Sequence, residues 1–218
     1  MSTRSTAEAP PRKRLKADAR REVIEQAALE VFAERGYHGA SVDEIARRSG
    51  VTPPVVYDHF ASKLDLHKRL LERTRDELLE MWREHLAGDE PAEERIPRAL
   101  DAWASYVQEH PYAPRMFFHE TTGDPEIQAI HAEVQAQARV ALGAILGREP
   151  GADNVAGSAD EEALEMAAEV MRAGLTGLAI WWKEHPDVPR ERLVATAINA
   201  IWIGFERVRR GETWPTAP

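Results

Sequence analysis

The 218-residue chain contains no cysteine, which excludes disulfides, thiolate-held zinc and a cysteine nucleophile. Long apolar runs are also missing. The longest mostly apolar stretch, Val194 to Phe205, is interrupted by Thr196 and Asn199 and is too short to span a bilayer. The first 17 residues hold no apolar segment, so no secretory signal and no membrane association are expected, and the expected location is cytoplasmic. Catalytic signatures are missing in turn. There is no G-x-S-x-G elbow and no phosphate-binding glycine loop, and His119-Glu120 and His131-x-Glu133 lack the i, i+4 spacing of a helical metal site. Glu161, Glu162 and Glu165 are better read as acids complementing the dipole of a helix start. No catalytic residue, metal ligand or cofactor is expected, and the chain reads as a non-enzyme. Strand-like alternation is nowhere sustained and no internal repeat is visible.

What is present is a globular composition, 43% hydrophobic, with a net charge of −9. The charge is unevenly placed. Residues 1–75 carry 15 basic and 11 acidic residues, a net of +4, whereas residues 76–218 carry 13 and 26, a net of −13. A basic third on an acidic carrier points to a local electropositive surface.

The periodicity predicts an all-α chain of about nine helices. A first helix runs from about Asp18 to Arg35 on the stripe Ile24, Ala27, Ala28, Val31 and Phe32, with Gly36 just past its end. Ser41 and Glu44 have capping-box spacing at the start of a second, and Gly50 stops it. Thr52 caps a short third helix whose first position is Pro53, where a missing N–H costs nothing. Ser62 caps a long fourth helix reaching about His85; a fifth covers roughly Glu94 to His110. A sixth segment holds Met116, Phe117 and Phe118. A seventh helix runs from Asp124-Pro125 to Leu146, an eighth from about Asp160 to Glu184, and a ninth from Pro189 to about Arg210. The expected organisation is a basic, disordered arm at 1–17, a three-helix domain at 18–64, a helical domain at 65–210 and a tail at 211–218.

Two short helices separated by Ser49-Gly50-Val51 have the layout of a helix-turn-helix. In such a unit the second helix enters the DNA major groove. Pro53, Pro54 and Val55 could meet thymine methyls, and Tyr57 a base or a phosphate. Ser41 and Thr52, at helix starts, and Lys63 suit phosphates. His59 is an even choice between a phosphate and a structural role, and Arg12 to Lys16 could track DNA or stay solvated. Ile45, Val51, Val56 and Phe60 read as core.

The run GYHGASVDEIARRSGVTPPVVYDHFASKLDL, residues 36–66, resembles the DNA-binding domain of the tetracycline-repressor (TetR) family. The likeness rests on Phe32-Ala33-x-x-Gly36-Tyr37, Ser41-Val42-x-x-Ile45-Ala46, Gly50-Val51 and Tyr57-x-His59-Phe60-x-Ser62-Lys63, and covers roughly residues 17–70. Pro54 departs from it, since members often carry glycine there. The resemblance implies a homodimer on double-stranded operator DNA, a ligand pocket in the C-terminal domain and release from DNA on ligand binding.

The acidic two-thirds is rich in aromatics. Trp103, Tyr106, Phe117, His119, Met171 and Leu175 come from different helices and form the expected lining of a small-molecule pocket. An apolar ligand is expected there, a strongly anionic one being disfavoured by the surrounding charge. Small residues in the last two helices suggest close packing, and Gly177, Leu178, Ala197, Ile201, Gly204 and Phe205 are the expected dimer interface. The reading is a dimeric repressor released by a small apolar ligand. Its rival is a helix-turn-helix regulator with no small-molecule ligand, acting constitutively or through a protein partner.

Overall fold

The computed structural model describes residues 17–87, 90–113, 125–148 and 161–212. Among them are eight helices and no strand. They are α1 (Ala17–Gly39), α2 (Val42–Ser49), α3 (Pro53–His59), α4 (Lys63–Leu86), α5 (Ala92–Glu109), α6 (Pro125–Leu146) and α7 (Glu161–Glu184). The last, α8, joins Arg190–Ala197, a π-helical turn at Ile198–Trp202 and Ile203–Arg209. The expected segment around Met116 to Phe118 lies outside the described residues, as do the basic arm at 1–16 and most of the tail. None of the described helices is long and apolar enough to cross a membrane.

Gly36 breaks α1 with φ of 67° and ψ of 175°, a conformation that side chains with a Cβ avoid. The chain then turns back, so that Ala40 is buried against the three-helix unit.

Burial falls into two clusters. The first gathers Ile24, Ala28, Val31 and Phe32 of α1, Ile45 and Ala46 of α2, Val56 of α3, and Phe60. It also takes Leu66, Leu70 and Leu71 from the start of α4, and Val134 and Ala138 from α6. The second gathers Leu79, Trp82 and Leu86 from the end of α4 with Leu100 and Trp103 of α5, Leu142 and Leu146 of α6, Met171 and Leu175 of α7, and Trp202 and Phe205 of α8. A division at residue 64 would therefore strip the first core of three leucines. Helices α4 and α6 belong to both cores.

Polar groups are buried where these helices meet. His67 of α4 and His131 of α6 are 3% and 5% exposed, and their Nε2 atoms lie 3.2 Å apart. One nitrogen donates and the other accepts, so a single proton serves the contact. The His67 ring also meets Phe32 and Tyr37 edge-on, at 4.7 and 5.2 Å between centroids. Glu25 of α1 is buried and accepts from Arg69 Nε at 2.9 Å, Arg73 Nη1 at 2.8 Å and Arg21 Nε at 3.2 Å. Burial alone would raise its pKa, but the bonds from Arg69 and Arg73 outweigh that and hold the carboxyl below the usual range. Arg73 continues to Glu77 at 2.7 Å, and Tyr106 of α5 donates its hydroxyl to Glu77 at 2.8 Å. A charged chain thus runs from α1 through α4 to α5.

Burial, then the nearby charges of His131 and Lys63, lowers the pKa of His67 to about 3. The unfolded chain binds that proton near 6.5, the folded chain only near 3. Stability contributed by neutral His67 is therefore complete above about pH 6.5 and is lost as pH falls toward 3, at up to about 1.4 kcal/mol per pH unit. Urea midpoints measured at pH 7 and pH 5 should fall more for the native chain than for His67→Leu. Equal falls would remove His67 from the acid sensitivity.

Candidate nucleic-acid interface

The helix-turn-helix is built by backbone chemistry. Ser41 Oγ accepts from the N–H of Glu44 at 3.2 Å, which caps α2. The Glu44 carboxylate does not complete the reciprocal half of a capping box. It turns to Arg35 at 2.9 Å and Arg48 at 3.0 Å. At the other end Gly50 is left-handed, with φ 71° and ψ 23°, and the Val51 N–H reaches the Ala46 carbonyl at 3.0 Å. A Cβ at Gly50 would meet nothing within 4 Å, so glycine is required by the turn and not by crowding.

Thr52 precedes α3 in an extended conformation, and its side chain makes no capping bond. The physical reason is the double proline. Pro53 and Pro54 supply no N–H, and the Val55 N–H bonds to the Thr52 carbonyl at 2.9 Å. The exposed Thr52 hydroxyl is left for an external partner. Val56 and Phe60, each 2% exposed, anchor α3 to the core as expected. Pro54 is exposed, Tyr57 is 55% exposed, and Pro53, Val55 and His59 are half-buried. The His59 ring rests beside Phe60 at 6.4 Å between centroids.

Lys63 has an internal role that its position in the sequence did not show. Its ammonium donates to the carbonyls of Tyr37 at 2.9 Å and Ala40 at 3.0 Å, and sits 4.3 Å from the Tyr37 ring. It ties the start of α4 to the backbone that follows the Gly36 break, and burial pulls its pKa below the usual lysine range. Two of the three ammonium hydrogens are thus engaged inside the domain. Two exposed side chains at this face escaped the sequence reading. Arg47, 74% exposed, lies in the last turn of α2, and Asp58 is exposed on α3. Helical projection from Val56 would have found Asp58. Arg48 is held by Glu34 at 3.0 Å and by Glu44.

The expected pocket residues divide. Trp103 and Leu175 line a cavity of about 60 Å³ together with Arg75, Leu78, Leu79, Trp82, Ala138, Leu142, Arg172 and Thr176. Met171 and Leu175 line a second, of about 20 Å³, which shares Trp82 and Leu142 with the first. Tyr106 does not join them. It faces Glu77 in a separate polar crevice with Glu25 and Arg73, and its hydroxyl bond to Glu77 holds it there. Phe117 and His119 lie outside the described residues.

The expected interface residues also divide. Ala197 and Phe205 are 1% and 7% exposed inside the second core, so they are not surface residues of this chain. Leu178 and Ile201 pack partly against that core. Gly177 and Gly204 are exposed, with open space where a Cβ would stand. The exposed apolar side chains nearby are others: Met166, Val170 and Trp181 on α7 and Ile203 on α8, 43 to 67% exposed. The close helix approach that small residues suggested occurs within the chain, at Gly174, where a Cβ would lie 2.8 Å from Ile201 Cδ1.

Comparisons with known proteins agree with this geometry. Residues 24–70 match the family model described as bacterial regulatory proteins, tetR family. The HTH-type transcriptional activator FasR of Mycolicibacterium smegmatis is 28% identical over 196 residues, 89% of this chain and 87% of its own. The HTH-type transcriptional repressor BepR of Brucella suis is 36% identical over 100 residues, 43% of this chain and 48% of its own. Among solved structures, the transcriptional regulator FadR from Bacillus subtilis in complex with stearoyl-CoA superposes with a TM-score of 0.65 at 20% identity, covering 87% of this chain and 98% of that one. That likeness shows the shared fold.

Lys63→Met should separate the two roles of this lysine. If Lys63 bound a phosphate of the operator, the substitution would reduce the slope of log K against log salt by about 0.9. The internal contact instead predicts an unchanged slope and a loss of stability of about 1–3 kcal/mol, because two carbonyls lose a charged donor. Salt-titrated DNA binding and thermal melting of the same variant decide between them.

Proposed function

Residues 24–70 form a DNA-binding domain of the tetR family of bacterial regulatory proteins, and the chain is a transcriptional regulator of that family; from this premise we propose a homodimer that grips a symmetric operator and loosens when an elongated apolar ligand enters the cavity between α4, α5, α6 and α7. It works in the cytoplasm, where the operator is. Thr52, Pro53, Pro54, Val55 and Tyr57 read the major groove, and Ser41 and Arg47 stand beside it.

One observation carries the ligand-release reading. Helix α4 is uninterrupted, and it places Leu66, Leu70 and Leu71 in the reader's core and Leu78, Leu79 and Trp82 on the cavity wall. The cavity of about 60 Å³ has room for about two waters, at ~30 Å³ each. Ligand pockets occupy about 300–1,000 Å³. A ligand must therefore push the walls apart, and moving α4 moves the reader. This difference between empty and filled states is what lets a ligand shift operator affinity.

The apolar lining and the second void beyond Trp82 favour a long chain over a compact ring. The stearoyl-CoA of the FadR structure is a ligand of that type in a protein of the same fold. Arg75 and Arg172 stand on the cavity wall, so the local field there is not that of the whole acidic chain, and an anionic head group is compatible with it. Assembly is supported by the stripe Met166, Val170, Gly177 and Trp181 on α7 beside Ile203 and Gly204 on α8, all exposed. Two copies facing through these helices would set two recognition helices ~34–36 Å apart, one turn of DNA. Repression follows where the operator overlaps a promoter. Activation is the second reading, favoured by FasR, which matches 89% of the chain. Operator position, not the protein's grip, sets that sign.

Val170→Glu should dissociate the dimer in sedimentation while circular dichroism stays helical, and operator affinity should fall with it. Stearoyl-CoA, titrated into the operator complex, should weaken it by about 5- to 150-fold. Trp103→Phe should reduce that response and leave ligand-free operator binding nearly intact. A native chain that stays monomeric at operator-saturating concentrations contradicts the assembly. A cavity that no acyl thioester enters, by thermal shift, favours the ligand-independent rival.

A further inference from the structure

The recognition helix carries little charge. From Thr52 to Ser62 there is no lysine or arginine, and the next cation, Lys63, is engaged inside the domain. Its one charged side chain is Asp58. A helix turns about 100° per residue, so Pro54 and Asp58 point about 160–200° away from Val56, straight out from the core. Val55 and Tyr57 lie to either side of that line. Asp58 is exposed, and among the described residues it has no hydrogen bond or ion pair.

A bare carboxylate at the outermost line of a helix that enters DNA meets a strongly negative surface. Against a phosphate it is repelled. Where the helix packs it against base edges, it needs a hydrogen-bond donor facing it. In the major groove guanine offers N7 and O6 acceptors and thymine its O4, which oppose a carboxylate. Adenine presents its N6 amino group beside the N7 acceptor. Cytosine presents the N4 amino group alone. We infer that Asp58 is a specificity-determining residue of this regulator, accepting a hydrogen bond from a cytosine N4 amino group at one position of each operator half-site and rejecting guanine there. The inference rests on the DNA-binding reading and is independent of the ligand.

The test is selection from a random duplex library by the full-length native chain, Asp58→Ala and Asp58→Asn, at one fixed salt concentration. The native chain should prefer cytosine over guanine at one symmetry-related pair of positions by about 5- to 150-fold, the range of one good base contact. Asp58→Ala should flatten that pair of positions alone and leave the rest of the preference unchanged. Asp58→Asn, whose amide can both donate and accept, should shift the same pair toward adenine. Asp58 is exposed, so thermal melting of the variants should match the native chain. If Asp58→Ala binds every sequence tighter by the same factor with an identical base preference, Asp58 is only a repulsive surface charge and the inference fails. A native preference with no cytosine at any symmetric pair also overturns it.

Discussion

One helix belongs to two cores, and the rest of the molecule depends on that. The hydrogen bonds of α4 run unbroken from Lys63 to Leu86, about 36 Å at 1.5 Å per residue. Leucines near its start complete the reader, and Leu79, Trp82 and Leu86 near its end complete the second core. Neither core can relax without straining the other, since a helix transmits displacement along its axis better than a loop would. Helix α6 repeats the arrangement with Val134 and Ala138 on one side and Leu142 and Leu146 on the other. The cavity proposed for the ligand is lined by Leu79 and Trp82 of α4 and by Ala138 and Leu142 of α6.

The junction between the cores is polar, and that has a thermodynamic consequence. Greasy contacts alone would slide with little penalty. The His67 to His131 bond and the three arginines around Glu25 have directions, and breaking one partner leaves a buried polar group exposed to a low-dielectric interior. Such groups add little net stability, but they penalise intermediate positions. A junction of this kind favours discrete arrangements over a continuum, which suits a regulator that must hold one geometry or another. Lys63 acts in the same spirit inside the reader, tying α4 to the turn after Gly36.

The DNA-facing surface is economical with positive charge. Apart from Asp58, its side chains on α3 are small, apolar or aromatic, and Arg47 of α2 stands at the edge. A surface of this kind discriminates through shape and base-edge chemistry more than through phosphate attraction. The double proline contributes to that character. It removes N–H groups that would otherwise bind the Thr52 hydroxyl and so leaves the hydroxyl available.

The amino-acid order by itself determined the all-helical class, the positions of most helices and the identity of the reader. These are properties of neighbours along the chain: Gly50 adopting a left-handed turn, Ser41 and Ser62 capping helices, and the periodic stripe that made Val56 and Phe60 core. The tertiary structure decided what long-range contacts decide. Lys63 carried no local sign that its ammonium would bond the carbonyls of Tyr37 and Ala40, more than 20 residues away. Ala197 and Phe205 looked like interface until α8 turned them inward, and Tyr106 looked like pocket lining until Glu77 claimed its hydroxyl. His67 and His131, 64 residues apart, carried no local signal at all. Periodicity tells which side of a helix is apolar, but only packing tells what that side faces, because the partner comes from a part of the chain whose distance no local pattern encodes.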